Sequence, residues 1–131
     1  MAAKLVRDVM VTDIVTISPF STLRDALTLM RERGVKSLVV ERHDEHDAYG
    51  ILTYTHILKT IIAEEGDIDL INVYDVSAKP ALSVHPSLAT KHVAKLMYGQ
   101  NIKRVLVTEN NTAVGIVTTN DLVREVLRLM E

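Results

Sequence analysis

The chain has 131 residues, 47% of them hydrophobic, with a formal charge of −2 at neutral pH. That size suits one cooperative body, and the slight acidity argues against general nucleic-acid binding, since neutralising many phosphates needs a clear basic excess. Cysteine is absent, which excludes disulfide frameworks, thiolate nucleophiles and sulfur-ligated metals.

The apolar runs are only a few residues long, and the start Met1-Ala2-Ala3-Lys4-Leu5-Val6-Arg7-Asp8 is charged too early for a secretory leader, so a soluble cytoplasmic protein is expected. The first predicted element is an extended segment, Ile14 to Ser18, whose exit is fixed by Pro19. Ser21 or Thr22 then caps a helix whose apolar positions Leu23, Ala26, Leu27 and Met30 fall at i, i+3, i+4 and i+7, so one face is buried. Gly34 ends it in the left-handed conformation. Leu38-Val39-Val40 is too short and too β-branched for a helix. A loop over Glu41 to Tyr49 joins it to a strand opening at Gly50-Ile51, which predicts a hairpin. A closing helix carries the stripe Ile57, Leu58, Ile61 and Ile62. Glu64 to Asp69 is polar, contains glycine, and reads as an exposed linker.

The same order then returns. A displacement of 67 residues lays Asp8-Val9 on Asp75-Val76, Pro19 on Pro86, Leu29-Met30 on Leu96-Met97, Lys36 on Lys103 and Val40 on Val107. The displacement then falls to 65, and Gly50-Ile51-Leu52-Thr53 meets Gly115-Ile116-Val117-Thr118. The lost residues lie in a hairpin loop, Thr108 to Val114 being shorter than Glu41 to Tyr49, which is where length changes cost least. In the second copy the extended segment is Ala81 to His85, the helix is marked by Val93, Ala94 and Met97, and Asn101 takes the place of Gly34. The hairpin opens at Val105-Leu106-Val107, and the last stripe is Leu122, Val123, Val126 and Leu127. The period exceeds that of stacking solenoid units, so two copies are expected to share one core with pseudo-twofold symmetry. The predicted fold is α/β (α+β): β-α-β-β-α repeats over 1–63 and 70–131, with 64–69 as linker.

The order Asp8-Val9-Met10, a β-rich segment ending in proline, an amphipathic helix, a two-strand hairpin and a Gly-Ile-x-Thr turn resembles a CBS domain. Two stand in tandem, from about Val6 to about Arg128. The resemblance implies a CBS pair, or Bateman module, with a regulatory and energy-sensing role and no enzymatic activity, little sequence being left for a fused catalytic domain. It implies an adenosine-containing ligand such as AMP, ADP, ATP or S-adenosylmethionine, bound in a cleft between the repeats, and a signal to a partner enzyme or transporter. It also implies a homodimer, formed through helices equivalent to Leu23 to Arg33 and Val123 to Met130. The alternative is an interaction subunit with vestigial clefts, whose fold serves only dimerisation or docking.

The sharpest functional signal is Gly115-Ile116-Val117-Thr118-Thr119-Asn120-Asp121, which resembles the family's Gly-hydrophobic-x-Ser/Thr-x-x-Asp ligand motif without departure. Glycine permits close approach of a flat base, the Thr118 hydroxyl can bond phosphate or ribose, and the Asp121 carboxylate can accept from both ribose hydroxyls, with Asn120 beside them. The same residues also suit a helix start, with a cap and an acidic first turn. In the first copy, Gly50-Ile51-Leu52-Thr53-Tyr54-Thr55-His56 places histidine at the aspartate position, so the cleft of Thr53, His56, Lys36 and Ser37 is expected to be weaker. Lys103 and Arg104 are candidate phosphate ligands. The resemblance places base recognition on the extended segments, at Ile14, Pro19, Ala81, Val84 and Pro86.

The run His43-Asp44-Glu45-His46-Asp47 contains metal-ligand types but reads better as a solvated loop, and no metal is expected. His85 and His92 lack a carboxylate at catalytic spacing, and neither a Gly-x-x-x-x-Gly-Lys-Ser/Thr loop nor a Gly-x-Gly-x-x-Gly turn occurs.

Overall fold

The computed structural model describes residues 4–131, so the leader reading of Met1 to Ala3 lies outside the described residues. The chain folds as two compact units, one formed by residues 4–14 with Leu82–Glu131 and the other by Val15–Ala81. The repeat period in the sequence and the units in space therefore differ: each copy's leading segment belongs to the unit built around the other copy.

In the unit Val15–Ala81, strand β1 (Thr16–Ile17) runs parallel to β2 (Ser37–Val40), which pairs antiparallel with β3 (Gly50–Thr53). The parallel pair needs a crossover, supplied by helix α2 (Leu23–Arg33). Thr22 is its cap. The Thr22 side chain accepts from the Asp25 amide at 3.2 Å while the Asp25 carboxylate accepts from the Thr22 amide at 3.0 Å, a reciprocal capping box. Gly34 closes the helix in the left-handed region at φ 63°. Leu23, Ala26 and Met30 are fully buried against Leu38, Val40 and Leu52, as the helical period predicts.

After β3 come helix α3 (Tyr54–Leu58) and a π-helical turn, Lys59–Ala63. Of the predicted stripe only Ile57 is buried; Ile61 is partly covered, and Leu58 and Ile62 are exposed. The segment 64–69 is mostly exposed and is tied to the unit at three points. Ile68 packs against the core, the Gly66 amide donates to the Thr60 carbonyl at 2.9 Å, and Arg24 Nη2 donates to Asp69 at 3.0 Å. A four-residue helix that the repeat pattern did not announce follows, α4 (Val73–Val76), with Val73 fully buried in the same core.

The other unit repeats this plan. Its corresponding short helix is α1 (Val6–Val9), near the amino terminus, and β4 (Ser83–Val84) runs parallel to β5 (Arg104–Glu109), which pairs antiparallel with β6 (Thr112–Thr118). Between β4 and β5 lies α5 (Thr90–Gln100), closed by Asn101 in the left-handed region at φ 53°. Val93 and Met97 are buried as expected, whereas Ala94 is exposed and Leu96 packs in its place. The hairpin expected over Thr108 to Val114 is tighter than read. Its strands continue to Glu109 and from Thr112, leaving Asn110 and Asn111 at φ 53° and 62°, the two left-handed residues that a short hairpin turn requires. Helix α6 (Thr119–Arg128) closes the chain; Leu122 is half-buried while Val123, Val126, Leu127, Leu129 and Met130 are exposed. No helix among the described residues is long and apolar enough to cross a membrane.

Candidate ligand-binding site

Where β6 gives way to α6, the motif forms a second capping box. The Asp121 amide donates to Thr118 Oγ1 at 3.3 Å, and Asp121 Oδ2 accepts from the Thr118 amide at 2.7 Å and its hydroxyl at 3.0 Å. Asp121 Oδ1 is paired with the Arg124 guanidinium. The residue is only 4% exposed, so both carboxylate oxygens are committed within the protein. Thr118 is half-buried, while Asn120 and Lys103 are exposed; the Lys103 carbonyl accepts from the Thr119 amide at 3.0 Å. Arg104 lies across the ladder from Thr118, and its Nε is buried without a hydrogen-bond partner among the described residues. A buried guanidinium nitrogen without an acceptor costs free energy unless something supplies one.

Arg124 escapes motif reading. Its signal is the i, i+3 spacing from Asp121, where a cation one helical turn beyond a first-turn carboxylate is placed to pair with it.

The first copy builds the same corner with different chemistry. His56 Nδ1 accepts from the Thr53 amide at 3.1 Å, and the His56 amide donates to Thr53 Oγ1 at 3.4 Å. Imidazole thus does the work of the carboxylate in closing the box. Ser37 pairs with Thr53 across the ladder and is half-buried, and Lys36 is exposed. Serine therefore stands where the second copy has Arg104.

The residues expected to contact a base divide between the two ends of the strands. Ile14 and Ala81 precede the entrances of β1 and β4 by two residues, at the end where the parallel partners β2 and β5 begin and the Thr53 and Thr118 corners lie. Pro19 lies beyond Ile17, which pairs with Val40 at the hairpin end of β2, whereas Thr53 pairs with Ser37 at the opposite end. Likewise Val84 pairs with Val107, so Pro86 lies toward the hairpin end and away from the Arg104–Thr118 pair. Both prolines are buried, and Val84 sits in the unit's core at 8% exposure. A parallel strand presents its two ends to opposite edges of the sheet, so Pro19, Val84 and Pro86 stand away from the Thr53 and Thr118 corners of their own sheets.

The motif glycine is also explained by packing. A side chain at Gly115 would meet Met10 Sδ at 2.9 Å and the Val11 carbonyl oxygen at 3.0 Å, because the Val11 and Ile116 backbones exchange hydrogen bonds there. Gly50 makes equivalent room for Ser77 and Ala78, whose carbonyl oxygen a side chain would meet at 3.2 Å. The expected closeness is real, but its object is the protein's own leading segment.

In Val15–Ala81 a cavity of about 500 Å³ opens at the hairpin end of the sheet. Phe20, His43, Asp44, Asp47, Tyr74 and Lys79 contribute to its lining. The His-Asp-Glu-His-Asp run is held by its own hydrogen bonds, Asp47 accepting from the His43 amide at 2.7 Å and Asp44 from the His46 amide at 2.8 Å. It forms no group suited to a metal among the described residues.

The CBS domain family matches residues 6–63 and 73–128. The chain is 29% identical over 117 residues to CBS domain-containing protein YhcV of Bacillus subtilis, covering 89% of this chain and 81% of that protein. It is 26% identical to uncharacterized protein MK0525 of Methanopyrus kandleri, covering 86% of this chain and 57% of that protein. An inosine-5'-monophosphate dehydrogenase of Korarchaeum cryptofilum matches 92% of this chain at 28% identity, but with only 24% of its own length. Among solved structures, a hexameric CBS-CP12 protein from bloom-forming cyanobacteria superposes with a TM-score of 0.88 at 33% identity, over 94% of this chain and 68% of that one. The CBS domain pair of MJ0100, crystallised with 5'-methylthioadenosine and S-adenosyl-L-methionine, superposes with a TM-score of 0.80 at 25% identity, over 94% and 99%.

Proposed function

Because the chain belongs to the CBS domain family and carries two copies in tandem, we propose that it senses an adenosine-containing molecule of the AMP, ADP or ATP class and passes its occupancy to a partner protein. A CBS pair is a regulatory module, and the MJ0100 pair with its bound adenosine derivatives supports this ligand chemistry. The observation that carries the reading is Arg104, with a buried Nε lacking an acceptor beside Thr118. A phosphate oxygen would satisfy it. Ribose hydroxyls would compete with Arg124 for Asp121 Oδ1; a carboxylate has about four lone-pair positions, and the Arg124 side chain is 60% exposed and has water to receive it. S-adenosylmethionine lacks phosphate and offers Arg104 only the single charge of its methionine carboxylate, which makes it the weaker candidate.

The two corners are then unequal. Calorimetry with the best binder among AMP, ADP and ATP should show one strong site per chain, and His56→Asp should strengthen the second by restoring a carboxylate. The same change should stabilise the start of α3 by about 0.3 to 1 kcal/mol through the helix dipole. Two equal sites in the unaltered chain would overturn this reading.

A second reading, an interaction subunit that acts by dimerising or docking, is favoured by the apolar side chains left exposed on the closing helices, among them Leu58, Ile62, Val126 and Leu127. Within Val15–Ala81, Leu58 and Ile62 adjoin Tyr54 and Ile61 along one apolar surface, and such patches commonly mark contacts. A homodimer is therefore proposed under both readings, and light scattering at micromolar concentration should give twice the chain mass; a monomer would remove it. The hexameric state belongs to the CBS-CP12 relative and is another outcome of the same measurement.

A further inference from the structure

The aromatic lining of the cavity at the hairpin end of Val15–Ala81 has no counterpart in the second copy. Phe20, the chain's only phenylalanine, is 59% exposed, and its ring meets His43 edge-on at 5.1 Å and Tyr74 at 6.1 Å. At the equivalent positions the second copy has Ser87 for Phe20, Arg7 for Tyr74 and Thr12 for Lys79, and its hairpin turns through Asn110 and Asn111 with no loop to carry His43 and Asp44. The second copy folds on the same plan without any of these groups. The fold does not need the aromatic cluster, and exposing its rings to water has to be explained otherwise.

The charges indicate an occupant. Lys79 Nζ is bound to Asp47 Oδ2 at 2.6 Å. Hydrogen bonds from Lys79 and from the His43 and Ala48 amides hold the pKa of the Asp47 carboxyl at about 2, well below its ordinary range. That pair is internally neutral, so with histidine counted as uncharged Asp44 leaves the lining with one negative charge in excess. Aromatic faces beside an uncompensated carboxylate favour a cation. A planar guanidinium fits best, since it can stack on a ring and donate to a carboxylate at once, which a quaternary ammonium cannot do. The same loop already uses this chemistry, the Arg42 guanidinium lying 4.9 Å from the Tyr49 ring centre.

We propose that this cavity is a second binding site that takes a guanidinium group, stacked on one ring of the Phe20–Tyr74 pair and facing Asp44. Of the residues named for the nucleotide reading only Pro19 lines it, and it lies at the other end of the sheet from Thr53.

The test is an amide NMR titration of the full chain with arginine amide, with citrulline amide as the neutral planar isostere, and with the peptide Gly-Gly-Arg-Gly-Gly. Saturable shifts at Phe20, His43, Asp44 and Tyr74 are expected with arginine amide and at least roughly tenfold weaker response with citrulline amide, the cation supplying the selectivity. Phe20→Ser, which installs the second copy's residue at an exposed position, should abolish the response without lowering the melting temperature. Asp44→Asn should weaken it by about tenfold, and decides the matter if Phe20→Ser does not fold. Binding of the peptide as tightly as arginine amide would assign the site to a protein arginine, and binding of arginine amide alone to a small molecule. An equal response to citrulline amide, an undiminished response in Phe20→Ser or Asp44→Asn, or no saturable shift would each overturn the proposal.

Discussion

Gly115→Val is expected to lower the melting temperature by roughly 10 °C, corresponding to a loss of about 2 to 3 kcal/mol. A side chain there meets the Met10 sulfur at 2.9 Å and the Val11 carbonyl oxygen at 3.0 Å. The sulfur can swing aside at modest cost, but the carbonyl belongs to a backbone pair with Ile116 at 2.9 and 3.0 Å, and moving it breaks both hydrogen bonds. Gly99→Ala is the control. Gly99 lies in α5 with nothing within 4 Å of an added side chain, so alanine should stabilise by about 0.5 to 1 kcal/mol through helix propensity. Thermal melts of both variants check the pair, and a Gly115→Val chain that melts with the unaltered protein would contradict the assigned role of Met10 and Val11.

Asp121→Ala is expected to act twice. It removes the acceptor for the Thr118 amide and hydroxyl and the partner of Arg124, which should cost about 0.5 to 2 kcal/mol of stability as other lost helix-start caps do. It should also weaken the best nucleotide by about ten- to hundredfold, the worth of a charge-assisted acceptor at the ribose. Arg104→Ala separates phosphate from ribose recognition: it should weaken phosphorylated ligands more than adenosine and flatten the salt dependence of binding. If Asp121→Ala melts earlier but binds nucleotide unchanged, the carboxylate is a helix-start stabiliser alone.

Much of the fold was legible because each copy's signals are local. Thr22 with Asp25 marks a helix start, Gly34 and Asn101 mark helix ends, and the burial of Leu23, Ala26 and Met30 follows from period 3.6 alone. The short helices α1 and α4 escaped notice because four residues give no period to read. Their attachment to the other copy's unit is a tertiary fact, carried by contacts such as the Val6 amide donating to the Leu88 carbonyl at 2.8 Å and the Val73 amide to that of Ser21 at 2.8 Å. The same limit explains why the ends of the strands occupied by Pro19, Val84 and Pro86 were not legible. Adjacency to the motif in a repeat alignment does not say which end of a parallel strand a residue occupies, and the register does.

At the site, the capping role and the ligand role of Thr118 and Asp121 were both readable from one motif, and the structure realises the first in full. The copy-one histidine falls in the first turn of α3; its acceptance of the Thr53 amide through Nδ1 could not be read from sequence. The aromatic cluster was invisible in the same way, since Phe20, His43 and Tyr74 are brought together only by the fold.

Whether this CBS pair binds an adenosine-containing ligand is decided by a thermal shift panel. The unaltered chain would be melted with AMP, ADP, ATP, NAD and S-adenosylmethionine, each at a fixed excess. A ligand present at about a hundred times its dissociation constant adds about 2.7 kcal/mol, which is roughly 10 °C for a chain of this size. At least one phosphorylated adenosine compound should raise the melting temperature on that scale and exceed S-adenosylmethionine; no shift with any of the five would contradict the account.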